Sequence, residues 1–216
     1  MSGHGADPAD STGSCGGVAA KAGGHQTMPE ELMRATFDTN LFGPVNTIRA
    51  VLPGMRSAGN GAIVNISSVN AHIALPAGPM YAASKAALNA VSEALALEVA
   101  PFGIRVTVIE PGFIRTRIAS SGQAASALRD DSPYHDVEQR MAAAIAAGVD
   151  GGDDPSLVAE AVWDAVTRPD PTFAIPVGTS AAGLIAARRA TSDDDWLQGI
   201  RANYGLDSMP SSSATR

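Results

Sequence analysis

A chain of 216 residues with a formal net charge of −7 and a pI near 5.0 is long enough to bury one substantial core. The acidic balance excludes a nucleic-acid backbone or an anionic membrane surface as partner, because both demand a basic face. A single cysteine, Cys15, excludes a disulfide framework and a cysteine-rich zinc site, and reads as a free thiol.

Residues 1–26 are rich in Gly, Ala, Ser and Asp and carry almost no large apolar side chains, so disorder is expected there. They show neither the basic nor the apolar region of a secretory signal. No apolar run approaches the roughly 18–20 residues of a membrane span. A soluble cytoplasmic protein is the expectation.

Thr27-Met28-Pro29-Glu30 has the form of a capping box, with proline in the first turn. A helical pattern follows through Leu32, Phe37, Leu41, Ile48 and Leu52. Gly43-Pro44 is expected to kink it and Pro53-Gly54 with Gly59–Gly61 to end it. Residues 62–68 are β-branched and apolar, hence a buried strand. A helix is expected from Tyr81 to Val99, then a second buried strand over 104–109, ended by Glu110-Pro111-Gly112. Residues 113–152 read as an irregular insertion with weak helical character around Val137–Ala147. A helix over Leu157–Val166, a third strand over Thr172–Val177 and helices over Ala181–Ala190 and Trp196–Asn203 complete the order. Pro176 places the third strand at a sheet edge. Helices alternating with short apolar strands specify an α/β fold with a parallel sheet of about three strands.

The chemistry-bearing residues gather at one rim of that sheet. Tyr81 and Lys85 are four apart, hence on one helix face. Ser68 sits at the carboxyl end of the preceding strand, where ligands of open parallel sheets bind. Asn40, between Phe37 and Leu41, is a poor choice for packing alone. Pro111-Gly112 ends the next strand at the same rim, with Ile114 and Thr116 just beyond. His72 lies in the loop after Ser68 and reads as a surface histidine. His4, His25 and His135 show no ligand spacing, so no metal is expected.

The segments FDTNLFG (37–43), IVNISS (63–68), YAASKAAL (81–88) and GIRVTVIEPGFIRT (103–116) resemble the short-chain dehydrogenase/reductase family. The resemblance implies a Rossmann-like sheet and an NAD(P)-dependent oxidoreductase that interconverts an alcohol and a ketone or aldehyde. It makes Tyr81 the general acid/base, and Ser68 the hydrogen-bond partner of the substrate oxygen. Lys85 becomes a cation that lowers the phenol's pKa, and Asn40 the holder of a water that links Lys85 to solvent. It turns Tyr81, Lys85, Pro111, Gly112, Ile114 and Thr116 toward NAD or NADP. It also implies a small-molecule alcohol or carbonyl substrate and a homo-oligomer built through the Asn40 and Tyr81 helices, with neither nucleic acid nor membrane as partner.

The family's opening strand, its T-G-x-x-x-G-x-G turn and its N-N-A-G segment have no counterpart in this reading. Thr12-Gly13 to Gly17 copies T-G-x-x-x-G with no apolar strand before it, and is read as a remnant or coincidence. The expectation is therefore a partial domain over 27–205 with a disordered tail over 206–216. Weak cofactor binding follows, as does an open sheet edge at 62–68 that lowers stability or drives self-association. The alternative reading is a catalytically inactive family member acting as an interaction or oligomerisation module.

Overall fold

The computed structural model describes residues 11–14, 28–116 and 132–207. Strands β1 (Ser11–Ser14), β2 (Gly61–Ile66), β3 (Ile104–Pro111) and β4 (Ala174–Val177) form one parallel sheet in that spatial order. The helices are α1 (Glu30–Phe37), α2 (Gly43–Ala58), α3 (Pro79–Val99), α4 (His135–Asp150), α5 (Ser156–Thr167), α6 (Ala181–Ala190) and α7 (Asp193–Tyr204).

Successive strand residues point to opposite faces, so the apolar runs of β2 and β3 feed two cores. On one face Ile63, Ile104 and Val106 pack with Ile48 and Met55 of α2 and Leu95 and Val99 of α3. On the other, Val64 and Ile109 pack with Ala165 and, part-buried, Val158 and Val162 of α5. Each fully buried Ile or Leu here contributes about 2–3 kcal/mol of transfer free energy. The result is a three-layer sandwich whose carboxyl strand ends all open toward the same rim.

Gly59 and Gly103 bring the starts of β2 and β3 together. Gly103 has φ +69°, and a Cβ there would stand 2.5 Å from the Gly59 carbonyl oxygen. That close approach seats Gly61 opposite Ile104, the first pair of the register.

Five expectations change. The sheet has four strands, because Ser11–Ser14, inside the stretch expected to be disordered, pairs in register with Ala62–Asn65. Ser-Thr-Gly-Ser carries no apolar alternation, so backbone pairing alone defines this strand. The rest of that stretch, including Gly17 and Thr27, lies outside the described residues, and α1 has Pro29 at its N-cap position with no side-chain cap. The expected kink at Gly43-Pro44 is a π-helical turn, Asp38–Phe42, that joins α1 to α2 without a break. Pro53 does not end α2, which is held to the sheet by Ile48 and Met55 on either side of it and stops at Gly59. Finally, His135–Asp150 is a full helix rather than an irregular insertion; its alanines are strong helix formers, and Met141 and Val149 anchor it. Among the described residues no helix is long and apolar enough to cross a membrane.

Candidate active site

Ser68 leaves the carboxyl end of β2 and caps a short 3-10 turn, Val69–Ala71. Its Oγ accepts the Asn70 N–H at 3.1 Å and its carbonyl accepts the Ala71 N–H at 3.0 Å. That turn directs the chain back to the start of α3, where Pro79 occupies the first helical position, in which its missing N–H is not needed. One turn into the helix, the buried Tyr81 phenol lies beside the Ser68 side chain, which acts to lower its pKa. Lys85, one turn further, is buried; its Nζ donates to the Ile66 carbonyl at 2.8 Å and lies 5.8 Å from the centre of the Tyr81 ring.

Burial governs both titrating groups. It pushes the Tyr81 phenol above its ordinary value of 10.0, and the Ser68 side chain pulls it only part of the way back. It lowers the Lys85 amine from 10.5 to about 8. The expected depression of the phenol by Lys85 is therefore not what the geometry produces. The amine donates to the Ile66 carbonyl, and loss of water by the buried phenol is the largest cause of its upward shift.

Asn40 sits in the π turn and is fully buried. Its Nδ2 donates to Ser84 Oγ at 3.0 Å, and Ser84 Oγ donates to the Tyr81 carbonyl at 2.8 Å. Asn40 thus reaches the backbone of Tyr81 through Ser84, and is not a wall of the cavity described next.

A cavity of about 620 Å³ gathers the other expected residues: Ser68, Tyr81 and Lys85 on one side, Pro111, Gly112, Ile114 and Thr116 on another. Val158 and Val162 of α5 close it. Gly112 donates its N–H to the Val177 carbonyl at 2.9 Å, and a Cβ there would come within 3.0 Å of Ser180 Oγ. The missing side chain lets the loop after β4 pack closely at this rim; a Cβ there would need Ser180 Oγ to give by a few tenths of an ångström. Ile114 is held by a parallel bridge to Asp153, at the start of the segment that leads into α5.

Sequence reasoning missed Phe113, Val149, Pro155, Val158 and Val162 as lining residues. Val158 and Val162, four apart on one helix face, look like ordinary core in the sequence. Phe113 is flagged only by its position beside Pro111-Gly112. His72 is not a free surface histidine: its Nε2 lies 2.7 Å from Glu110 Oε1.

A family model described as short chain dehydrogenase matches residues 11–126, more than half of the chain, starting at β1. The 3-ketodihydrosphingosine reductase of Bacteroides thetaiotaomicron is 34% identical over 178 residues, covering 82% of this chain and 66% of that reductase. A short-chain dehydrogenase from Streptomyces avermitilis has a TM-score of 0.66 at 30% identity, covering 88% of this chain and 68% of that one. Another from Burkholderia cenocepacia, solved in complex with NADP, has a TM-score of 0.63 at 25% identity, covering 88% and 66%. This chain thus spans about two thirds of the length of each of these three proteins. With the motif match, the parallel sheet and the Ser68–Tyr81–Lys85 cluster at its carboxyl rim, the chain belongs to the short-chain dehydrogenase family.

Proposed function

We propose that the chain is an NAD(P)-dependent oxidoreductase that interconverts a small carbonyl compound and its alcohol. The observation that carries this reading is that Ser68, Tyr81 and Lys85 together line one wall of a 620 Å³ cavity. A cavity of that size is in the range that holds cofactor-sized groups. The stretch over Pro111, Gly112, Ile114 and Thr116, with Val158 and Val162, offers a mostly apolar slot with few polar atoms, which suits a nicotinamide ring, and Tyr81 and Lys85 face the same slot. These residues fit the dinucleotide's reactive half. When bound, the dinucleotide supplies a hydride to the carbonyl carbon or takes one from the carbinol carbon.

The protein's part is to hold the oxygen and move its proton. Ser68 Oγ hydrogen-bonds the carbonyl oxygen as negative charge develops there. The Tyr81 hydroxyl gives its proton to that oxygen, leaving a phenolate, which the Lys85 cation stabilises until solvent restores the proton. Burial holds the Tyr81 phenol above its ordinary value, so the group stands as the neutral acid that carbonyl reduction draws on. Asn40 acts through Ser84, which fixes the first turn of α3 and so the position of Tyr81. Exposed Phe42, Val91 and Leu97 on the Asn40 and Tyr81 helices support a homo-oligomer formed through these faces.

The test is an assay of the chain with NADH or NADPH against a panel of ketones and aldehydes. The expected result is consumption of the reduced dinucleotide matched by equimolar alcohol, with Ser68→Ala slower by about 100-fold. No turnover with any pair contradicts the reading.

A further inference from the structure

Glu110 is an acidic side chain at the end of an apolar strand, following Val108 and Ile109, and it is 1% exposed. An apolar residue would pack there without needing partners, whereas a carboxylate must be met by donors. Two donors reach the same oxygen. Asn89 Nδ2 donates to Oε1 at 2.7 Å, and His72 Nε2 stands 2.7 Å from it. A carboxylate only accepts, so the His72 ring donates at Nε2.

The two donors come from the two elements that carry the reactive pair. Asn89 is one turn beyond Lys85 and two beyond Tyr81, on the same face of α3. His72 closes the 3-10 turn that begins at Ser68, its N–H bonded to the Val69 carbonyl at 3.0 Å. Glu110 itself directly precedes Pro111 and Gly112 of the cavity. One buried oxygen therefore ties together the Tyr81 helix, the Ser68 turn and the Pro111-Gly112 floor.

We propose that Glu110 is a positioning residue: through His72 its carboxylate fixes the Ser68 turn against α3 and so keeps the Ser68 hydroxyl on the Tyr81 hydroxyl. The proposal rests on the reading of Ser68 and Tyr81 as the reactive pair. Neither Glu110 nor His72 lines the cavity beside Tyr81, so their effect on chemistry passes through Ser68.

The test reads that contact without needing turnover. The chain has three tyrosines, Tyr81, Tyr134 and Tyr204, so tyrosine labelled with ¹³C at the phenol Cζ gives three signals, and Tyr81→Phe assigns one. His72 is the residue to change, because its side chain is 22% exposed against 2% for Glu110, and its loss spares the core. The expected result is that His72→Ala and His72→Leu move the Tyr81 signal in the same direction as Ser68→Ala. His72→Gln, whose amide donates to the carboxylate, returns it to the wild-type position. A Tyr81 signal that stays put in both His72→Ala and His72→Leu overturns the proposal. If Ser68→Ala still moves the signal, only the hold through His72 has failed; if it does not, the reactive pair itself has failed. A signal displaced equally in His72→Gln and His72→Ala also overturns it, since the ring would then act other than through its bond to Glu110.

Discussion

Tyr81→Phe removes about 1,000-fold or more of the turnover while leaving dinucleotide affinity within a few-fold of wild type. The phenyl ring fills the same volume, and only the proton-transferring oxygen is lost. Removing one buried hydroxyl costs about 1 kcal/mol, so the melting temperature changes by only a few degrees. Initial rates at saturating dinucleotide, with melting curves on the same samples, separate the two effects. Turnover retained within tenfold of wild type in this variant contradicts the assignment of Tyr81 as the acid.

Lys85 makes the second large prediction, in stability and with a defined pH dependence. Its amine titrates at about 8 in the folded chain against 10.5 when unperturbed. Below about 8 both folded and unfolded chains hold the proton, and the folded chain bears the cost of burying it. Between about 8 and 10.5 the unfolded chain binds a proton that the folded chain does not, so stability rises with pH across that window. The penalty at neutral pH is about 3 kcal/mol, from about 2.5 units at 1.36 kcal/mol each. Lys85→Met removes it and forfeits about 1 kcal/mol for the hydrogen bond to Ile66, a net gain of about 2 kcal/mol at pH 7. Denaturant melts of both proteins at pH 7, 8, 9 and 10 are expected to show this gap shrinking and then reversing as pH rises. A gap constant in pH contradicts the depressed amine. The same titration shapes activity, because carbonyl reduction loses the Lys85 cation, and with it phenolate stabilisation, as pH rises through about 8.

The layers and most of the site can be read from the sequence because they rest on local patterns. The apolar stripe of α3, the β-branched runs of β2 and β3 and the four-residue step from Tyr81 to Lys85 each follow from one segment alone. What is not legible depends on neighbours. β1 is Ser-Thr-Gly-Ser, and becomes a strand only because the edge of β2 offers it backbone partners. The π turn at Asn40 has no sequence signature, yet it turns the amide toward Ser84. The direction of the Tyr81 shift depends on how deeply the ring is buried, which no spacing reveals. Glu110 was legible only as an acid ending an apolar strand. Its two donors lie 21 and 38 residues away in sequence and meet it only in the folded chain.

A working nicotinamide site in the Ser68–Tyr81–Lys85 cleft makes the folded chain more stable when a dinucleotide binds, which a thermal-shift titration with NAD⁺, NADH, NADP⁺ and NADPH reads. A ligand at about 100 times its Kd stabilises by roughly 2.7 kcal/mol. For a chain of 216 residues that is a rise of about 5–10 °C. The expected result is a saturable rise with at least one of the four dinucleotides, which also identifies the preferred one. A cooperative melt that none of them moves contradicts such a site, and leaves self-association through the Asn40 and Tyr81 helices as the function that fits.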